Sequence, residues 1–150
     1  MSAAVNLANE SNADLCLALM EKYHTEQNLP YDDAHRLAVA APLLAGNPLG
    51  AIWLIGPSRA PLGYVLVTFA WSVDAGGMVG WISEIYMRPS VRKRGIGTET
   101  LHAIGVALKA GGVKALHAEL SATDSPLTHF WNRVGFQTDR SLAIVTDILS

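Results

Sequence analysis

Between Val79 and Leu108 the apolar residues change their repeat, and a glycine-rich hinge sits at the change. Val79–Met87 reads as a strand, bounded by the turn Asp74-Ala75-Gly76-Gly77 before it and Pro89 after it. From Gly97 onward Leu101, Ile104 and Leu108 recur at helical spacing until Gly111-Gly112 supplies a stop. Lys114–Leu120 then reads as another strand. Strand, helix and strand around residues 79–120 predict one crossover unit, right-handed and with parallel strands.

The other segments attach to that unit. A short strand is expected at Ala3–Ala8, followed by a helix capped by Ser11 or Asn12 and running to Glu26, with Leu15, Leu19 and Tyr23 on one stripe. Asn28-Leu29-Pro30 interrupts it. A second helix is expected at Asp32–Ala45, ending at Gly46-Asn47-Pro48. Ala51–Ile55 and Gly63–Trp71 join Val79–Met87 in an antiparallel meander, with a turn at Pro57-Ser58-Arg59. Ser125–Arg133 reads as a short helix and Phe136–Leu149 as one or two closing strands. Gly105 inside its helix costs about 1 kcal/mol against alanine, so close packing on the sheet is its expected reason. The class is α/β with a mixed, largely antiparallel sheet.

At 150 residues, half of them apolar, the chain has material for a substantial core and is expected to form one domain over 1–150. No run of about 18 apolar residues predicts a membrane span. Residues 1–10 lack a secretory pattern. Cys16 is the single cysteine, so no internal disulfide forms, which fits a cytoplasmic location. Within Leu15–Leu19 it reads as a buried hydrophobe and not a nucleophile.

The net charge of −2 hides an asymmetry. Residues 1–87 hold three basic and eight acidic side chains (−5), and residues 88–150 hold eight and five (+3). One half suits a cation and the other an anion. The basic excess is too small and local for a nucleic-acid binder.

The hinge carries the chemistry. Arg92-x-x-Gly95-x-Gly97 lies between strand and helix, where glycines admit a ligand to the backbone and the first helical N–H groups lack internal partners. With the positive end of the helix dipole and Arg92, Lys93 and Arg94, those donors suit a pyrophosphate. A tight turn accounts for the spacing equally well. A Walker loop requires Gly-Lys-Ser/Thr where Thr98-Glu99 follows Gly97, and a dinucleotide fingerprint requires glycine or alanine where Thr100 stands.

The run Ile85-Tyr86-Met87-Arg88-Pro89 followed by Arg92 to Gly97 resembles the signature of the GNAT superfamily of N-acetyltransferases. A second match runs from Asp124 to Phe136, whose end, Phe130 to Phe136, resembles the family's Phe-Tyr-x-x-x-Gly-Phe. Leu62–Phe69 also looks like its central hairpin. The likeness covers roughly residues 10–150. It implies acetyl-CoA as co-substrate without a metal, its pantetheine pairing with the main chain of Ile85 and Met87 on the strand that holds Tyr86. Its pyrophosphate would rest on the amides of Arg94, Gly95, Ile96, Gly97 and Thr98, with Leu127, Phe130 and Trp131 either lining the cofactor or packing in the core. It implies an amine acceptor, here a small cationic molecule, attacking the thioester directly with both substrates bound. Homodimers are common in the family.

In such enzymes a carboxylate or a water chain takes the amine's proton. Glu84 is the expected base or amine-binding group. In a regular strand Trp81, Ser83, Ile85 and Met87 share one face and Ile82, Glu84 and Tyr86 the other, and a bulge, common in this strand of the family, alters that alternation. Glu119 and His117 on the neighbouring strand are the second choice, and His24, Tyr31 and Asp32 are candidates for the acceptor pocket. Trp131 departs from the family, because many relatives carry there a tyrosine able to protonate the leaving thiolate. That departure leaves open a non-catalytic acyl-CoA-binding or sensing domain, and protein lysine or N-terminal acetylation is a further alternative.

Overall fold

The computed structural model describes residues 4–119, 127–138 and 142–149. The chain divides into two compact units, Met1–Glu119 and Leu120–Ser150.

The first unit is built on a five-stranded sheet in sequence order. Strands β1 (Val5–Leu7), β2 (Gly50–Ile55), β3 (Gly63–Ser72) and β4 (Gly77–Met87) pair antiparallel, and β5 (Ala115–Ala118) joins β4 in parallel. Helices α1 (Ala13–Glu26) and α2 (Asp33–Leu44) precede β2, and α3 (Ile96–Ala110) makes the crossover from β4 to β5. The expected mixed sheet with one parallel crossover is the observed one.

Helix starts follow from side-chain acceptors. Asp32 caps α2 by accepting from the His35 amide at 2.8 Å. At α1 Asn12 holds the N-cap position, one of the two expected, but its side chain is used elsewhere. Asn9 caps a short 3-10 turn, Glu10–Asn12, and the Asn12 side chain points back to the Asn9 amide and makes no cap bond to α1. Two asparagines three residues apart satisfy each other, which leaves Ser11 inside the turn.

One face of the sheet buries Leu54, Tyr64, Leu66 and Tyr86 against Cys16, Leu19 and Met20 of α1 and Ala40 and Leu44 of α2. The opposite face carries Val65, Val67 and Ile82, all buried. Leu116 links α3 to that face: it crowds Gly80, and it comes within 3.9 Å of where a Cβ on Gly105 would stand. That distance is ordinary contact, so Gly105 is not imposed by the close packing expected from the sequence. The demanding glycine is Gly63, where a Cβ would collide with the Tyr86 carbonyl across the β3–β4 ladder.

The second unit contains α4 (Leu127–Arg133), which ends at Gly135 with φ +98° while the Phe136 amide donates to the Trp131 carbonyl. Residues 125 and 126 of the expected helix lie outside the described residues. The expected closing strands over 136–149 are absent from the described part, 136–138 and 142–149. Among the described residues, no helix is long and apolar enough to cross a membrane.

Candidate active site

β4 is paired on both sides only as far as Ile82. Its register with β5 runs from Val79↔Ala115 to Ile82↔Ala118, and β4 then continues to Met87 without a β5 partner among the described residues. The Tyr86 carbonyl faces Gly63 and the Arg88 amide donates to Leu62, both toward β3. By alternation, the main-chain groups of Ile85 and Met87 face the open edge, the two positions expected to pair with a ligand.

The same strand carries a bulge. Opposite β3, Val67 pairs with Ile82 and Leu66 with Glu84, so Ser83 is the extra residue. Cross-strand partners share a face. Trp81 therefore shares a face with Glu84 and Tyr86, toward α1, whereas Ile82 shares the other with Ile85. The regular alternation fails at Ser83, and Glu84 gains the helix-side face.

There Glu84 meets two partners. Its Oε2 lies 2.6 Å from His24 Nε2, and its Oε1 accepts from the Tyr64 hydroxyl at 2.9 Å. His24 is in the last turn of α1 and is 2% exposed. Burial, and next the Glu84 charge, hold the Tyr64 phenol above the ordinary tyrosine range, and burial and then Glu84 also raise Tyr23. A groove of about 630 Å³ is lined by Ala18, Glu21, Lys22, Thr25 and Glu26 of α1 with Tyr86 and Pro89, and none of His24, Tyr64 and Glu84 lines it.

Beyond β4 the chain makes a 3-10 turn, Pro89–Val91, and then bends into α3. Lys93 (φ +64°) and Gly95 (φ +78°) both adopt the left-handed conformation. Successive amides in such a turn converge into an anion-binding concavity. Among the described residues, the N–H groups of residues 93–98 have no acceptor, and Gly95 caps α3 without a side-chain bond. A Cβ on Gly95 would stand in open space. These free donors fit the pyrophosphate reading, and the exposed Lys93 and Arg94 flank them.

Arg92 is turned elsewhere. Its Nε donates to the Met87 carbonyl at 2.9 Å, its Nη2 meets Glu26, and the guanidinium lies 5.6 Å from the centre of the Tyr86 ring. Of the other expected residues, Tyr31 stacks on His35 at 4.2 Å and meets His24 edge-on at 5.0 Å. Buried Arg36 donates to the Tyr31 carbonyl at 2.7 Å and holds this junction. Asp32 is exposed and engaged as the cap of α2. His117 packs against Trp81 at 4.6 Å, and Glu119 follows the end of β5. Leu127 and Trp131 lie on α4 in the second unit. Sequence reasoning missed Tyr64, Glu26 and the pairing of His24 with Glu84; no local spacing connects residues so far apart.

A family model described as the acetyltransferase (GNAT) family matches residues 14–136. A comparison with curated proteins found no match. Among solved structures, an integron cassette protein from the mobile metagenome of Cole Harbour Salt Marsh is 24% identical, over 97% of this chain and 90% of that one, with a TM-score of 0.83. A possible acetyltransferase from Clostridium difficile 630 is 13% identical over 99% of each chain, with a TM-score of 0.86. An aminoglycoside N-acetyltransferase, AAC(6')-Iy, in complex with CoA is 14% identical over 97% of this chain and 94% of that one, at 0.82. At these identities the likeness is one of fold.

Proposed function

Since the chain belongs to the acetyltransferase (GNAT) family, we propose that it moves an acetyl group from acetyl-CoA to the primary amine of a small cationic molecule. The observation that carries this reading is the dual use of β4. Past the bulge, its main chain at Ile85 and Met87 faces the open edge, while the Glu84 carboxylate between Trp81 and Tyr86 points to the α1 side. A thioester lying along that edge would come beside a carboxylate.

Each part then has a task. The amides of residues 94–98, with Lys93 and Arg94, hold the two linked phosphates. Ile85 and Met87 align the pantetheine as an added strand. The acidic balance of residues 1–87 suits a cationic acceptor, and a relative in fold, AAC(6')-Iy, is an aminoglycoside N-acetyltransferase. Glu84 takes the proton from the ammonium form of the acceptor. The amine nitrogen bonds to the acetyl carbon, the carbon–sulfur bond breaks and the CoA sulfur leaves as thiolate, while the second proton shed by the nitrogen as the amide forms passes to that thiolate or to solvent. A free thiol has a pKa near 8.5, so that leaving group tolerates neutral pH without a dedicated acid. The whole of residues 1–150 serves this one activity.

The test is thiol release from acetyl-CoA across a panel of small amines, polyamines and aminoglycosides. Turnover with cationic amines is expected. No release with any acceptor, or release only with protein lysines, would sink the small-amine reading.

A further inference from the structure

Accepting Glu84 as the group that receives the amine's proton, we infer that His24 and Tyr64 are positioning residues that clamp its carboxylate from two different elements. His24 comes from α1 and Tyr64 from β3, and each engages a different oxygen, at 2.6 and 2.9 Å. Two donors on two oxygens fix both the rotamer and the plane of the carboxyl group. An untethered glutamate would lose side-chain entropy on being held in one productive pose. Here that ordering is complete before the acceptor arrives. Each carboxylate oxygen still keeps acceptor capacity for the incoming N–H.

The tautomer of His24 follows from the same contact. An ionised carboxylate can only accept, so a neutral imidazole facing it carries its proton on Nε2 and leaves Nδ1 bare. Nδ1 is buried and has no hydrogen-bond partner among the described residues. Among the described residues no group at Nδ1 would carry a proton onward, so the geometry gives His24 the task of orienting the base. Tyr64 is a fixed donor for a parallel reason, since its buried phenol stays protonated beside the Glu84 charge.

The test compares His24→Phe, which keeps an aromatic ring without the donor, with His24→Gln, whose amide can donate to Glu84. The clamp predicts a kcat about 10- to 100-fold lower in His24→Phe, an unchanged KM for acetyl-CoA, and recovery to within a few-fold in His24→Gln. Tyr64→Phe removes one hydroxyl and is the second variant should His24→Phe fail to fold; it is expected to show the same kcat-specific loss. Full kcat in folded His24→Phe overturns the inference even if Glu84→Gln is dead, whereas full activity in Glu84→Gln overturns the underlying assignment of the base. A nitrogen–proton correlation spectrum of the whole chain gives a readout independent of turnover. The expected ring carries its proton on Nε2, and a ring protonated on Nδ1 alone overturns the clamp.

Discussion

Arg92 meets both carboxylate oxygens of Glu26, at 2.8 and 2.7 Å, across 66 residues of sequence. The first residue of the glycine-rich motif is thus turned back onto α1, and it also contacts the Met87 carbonyl at the open edge of β4. The two side chains are 39% and 35% exposed, so the pair is well solvated and worth at most about 1 kcal/mol. Glu26→Gln should lower Tm by less than about 4 °C, less again in high salt. A drop beyond about 10 °C in a thermal melt would mean that this contact holds α1 to the sheet.

Glu84→Gln keeps the shape of the side chain and removes its ability to accept the amine's proton. Loss of a general base typically costs about 10²–10⁴-fold, and that fall is expected in kcat while acetyl-CoA binding by calorimetry stays at the wild-type level. Loss of binding in step with activity would move Glu84 into the donor site.

Gly95 separates strain from blockage. Its φ of +78° disfavours any side chain, by about 1–2 kcal/mol for alanine, while the space around it is open. Gly95→Ala should therefore be less stable yet still bind CoA. Gly95→Glu and Gly97→Glu should abolish binding by placing a negative charge in the cradle. Tight binding by both glutamate variants would show that the phosphates rest elsewhere.

Alkaline stability follows from Cys16. Burial pushes its thiol up from 9.0 to about 11. The unfolded chain then gives up this proton above pH about 9 while the folded chain keeps it to about 11, so unfolding releases a proton in that window and stability falls as pH rises. The full contribution is present below pH about 9 and amounts to no more than about 3 kcal/mol. Cys16→Ala should flatten the slope of stability against pH between about 9 and 11 in urea titrations, and an unaltered slope would refute this. Tyr64 is raised as well, and its share begins to fade above about 10 in both proteins.

Gly105→Ala should stabilise the chain. The position is inside α3, and its new methyl group would meet Leu116 at ordinary contact distance. The gain expected is about 0.5–1 kcal/mol, or up to about 4 °C in Tm. A lower Tm would mean that α3 and β5 lie closer than this spacing.

Much of the fold was legible because its signals are local. Pro89, Gly95 and the change of repeat marked the passage from β4 to α3, and Asp32 marked the start of α2. The left-handed turn with free amides before α3 and the acid Glu84 lie in the same short stretch, which is why both were nameable as candidates. The clamp on Glu84 could not, since His24 and Tyr64 reach it across 60 and 20 residues and resemble ordinary helix and strand residues. Nothing in Trp81-Ile82-Ser83-Glu84 spells out that Ser83 is surplus to the ladder; its place becomes visible only once β3 supplies a register. The strands read over 136–149 are not formed in 136–138 and 142–149, and nothing in their apolar content separates them from β2, whose run Ile52-Trp53-Leu54-Ile55 does pair.

The surplus residue at Ser83 is a place where this strand can lose a residue without changing what faces α1. Deleting Ser83 leaves Ile82 opposite Val67 and Glu84 opposite Leu66 in an unbroken ladder, so the carboxylate keeps its side. Deleting Ile85 has no such slack, because Glu84 and Tyr86 would become neighbours and one of them would turn to the layer beneath α3. Chimeras that graft this hairpin between relatives should therefore tolerate a length difference of one at the bulge and fail for the same difference past Glu84, however similar the exchanged residues are.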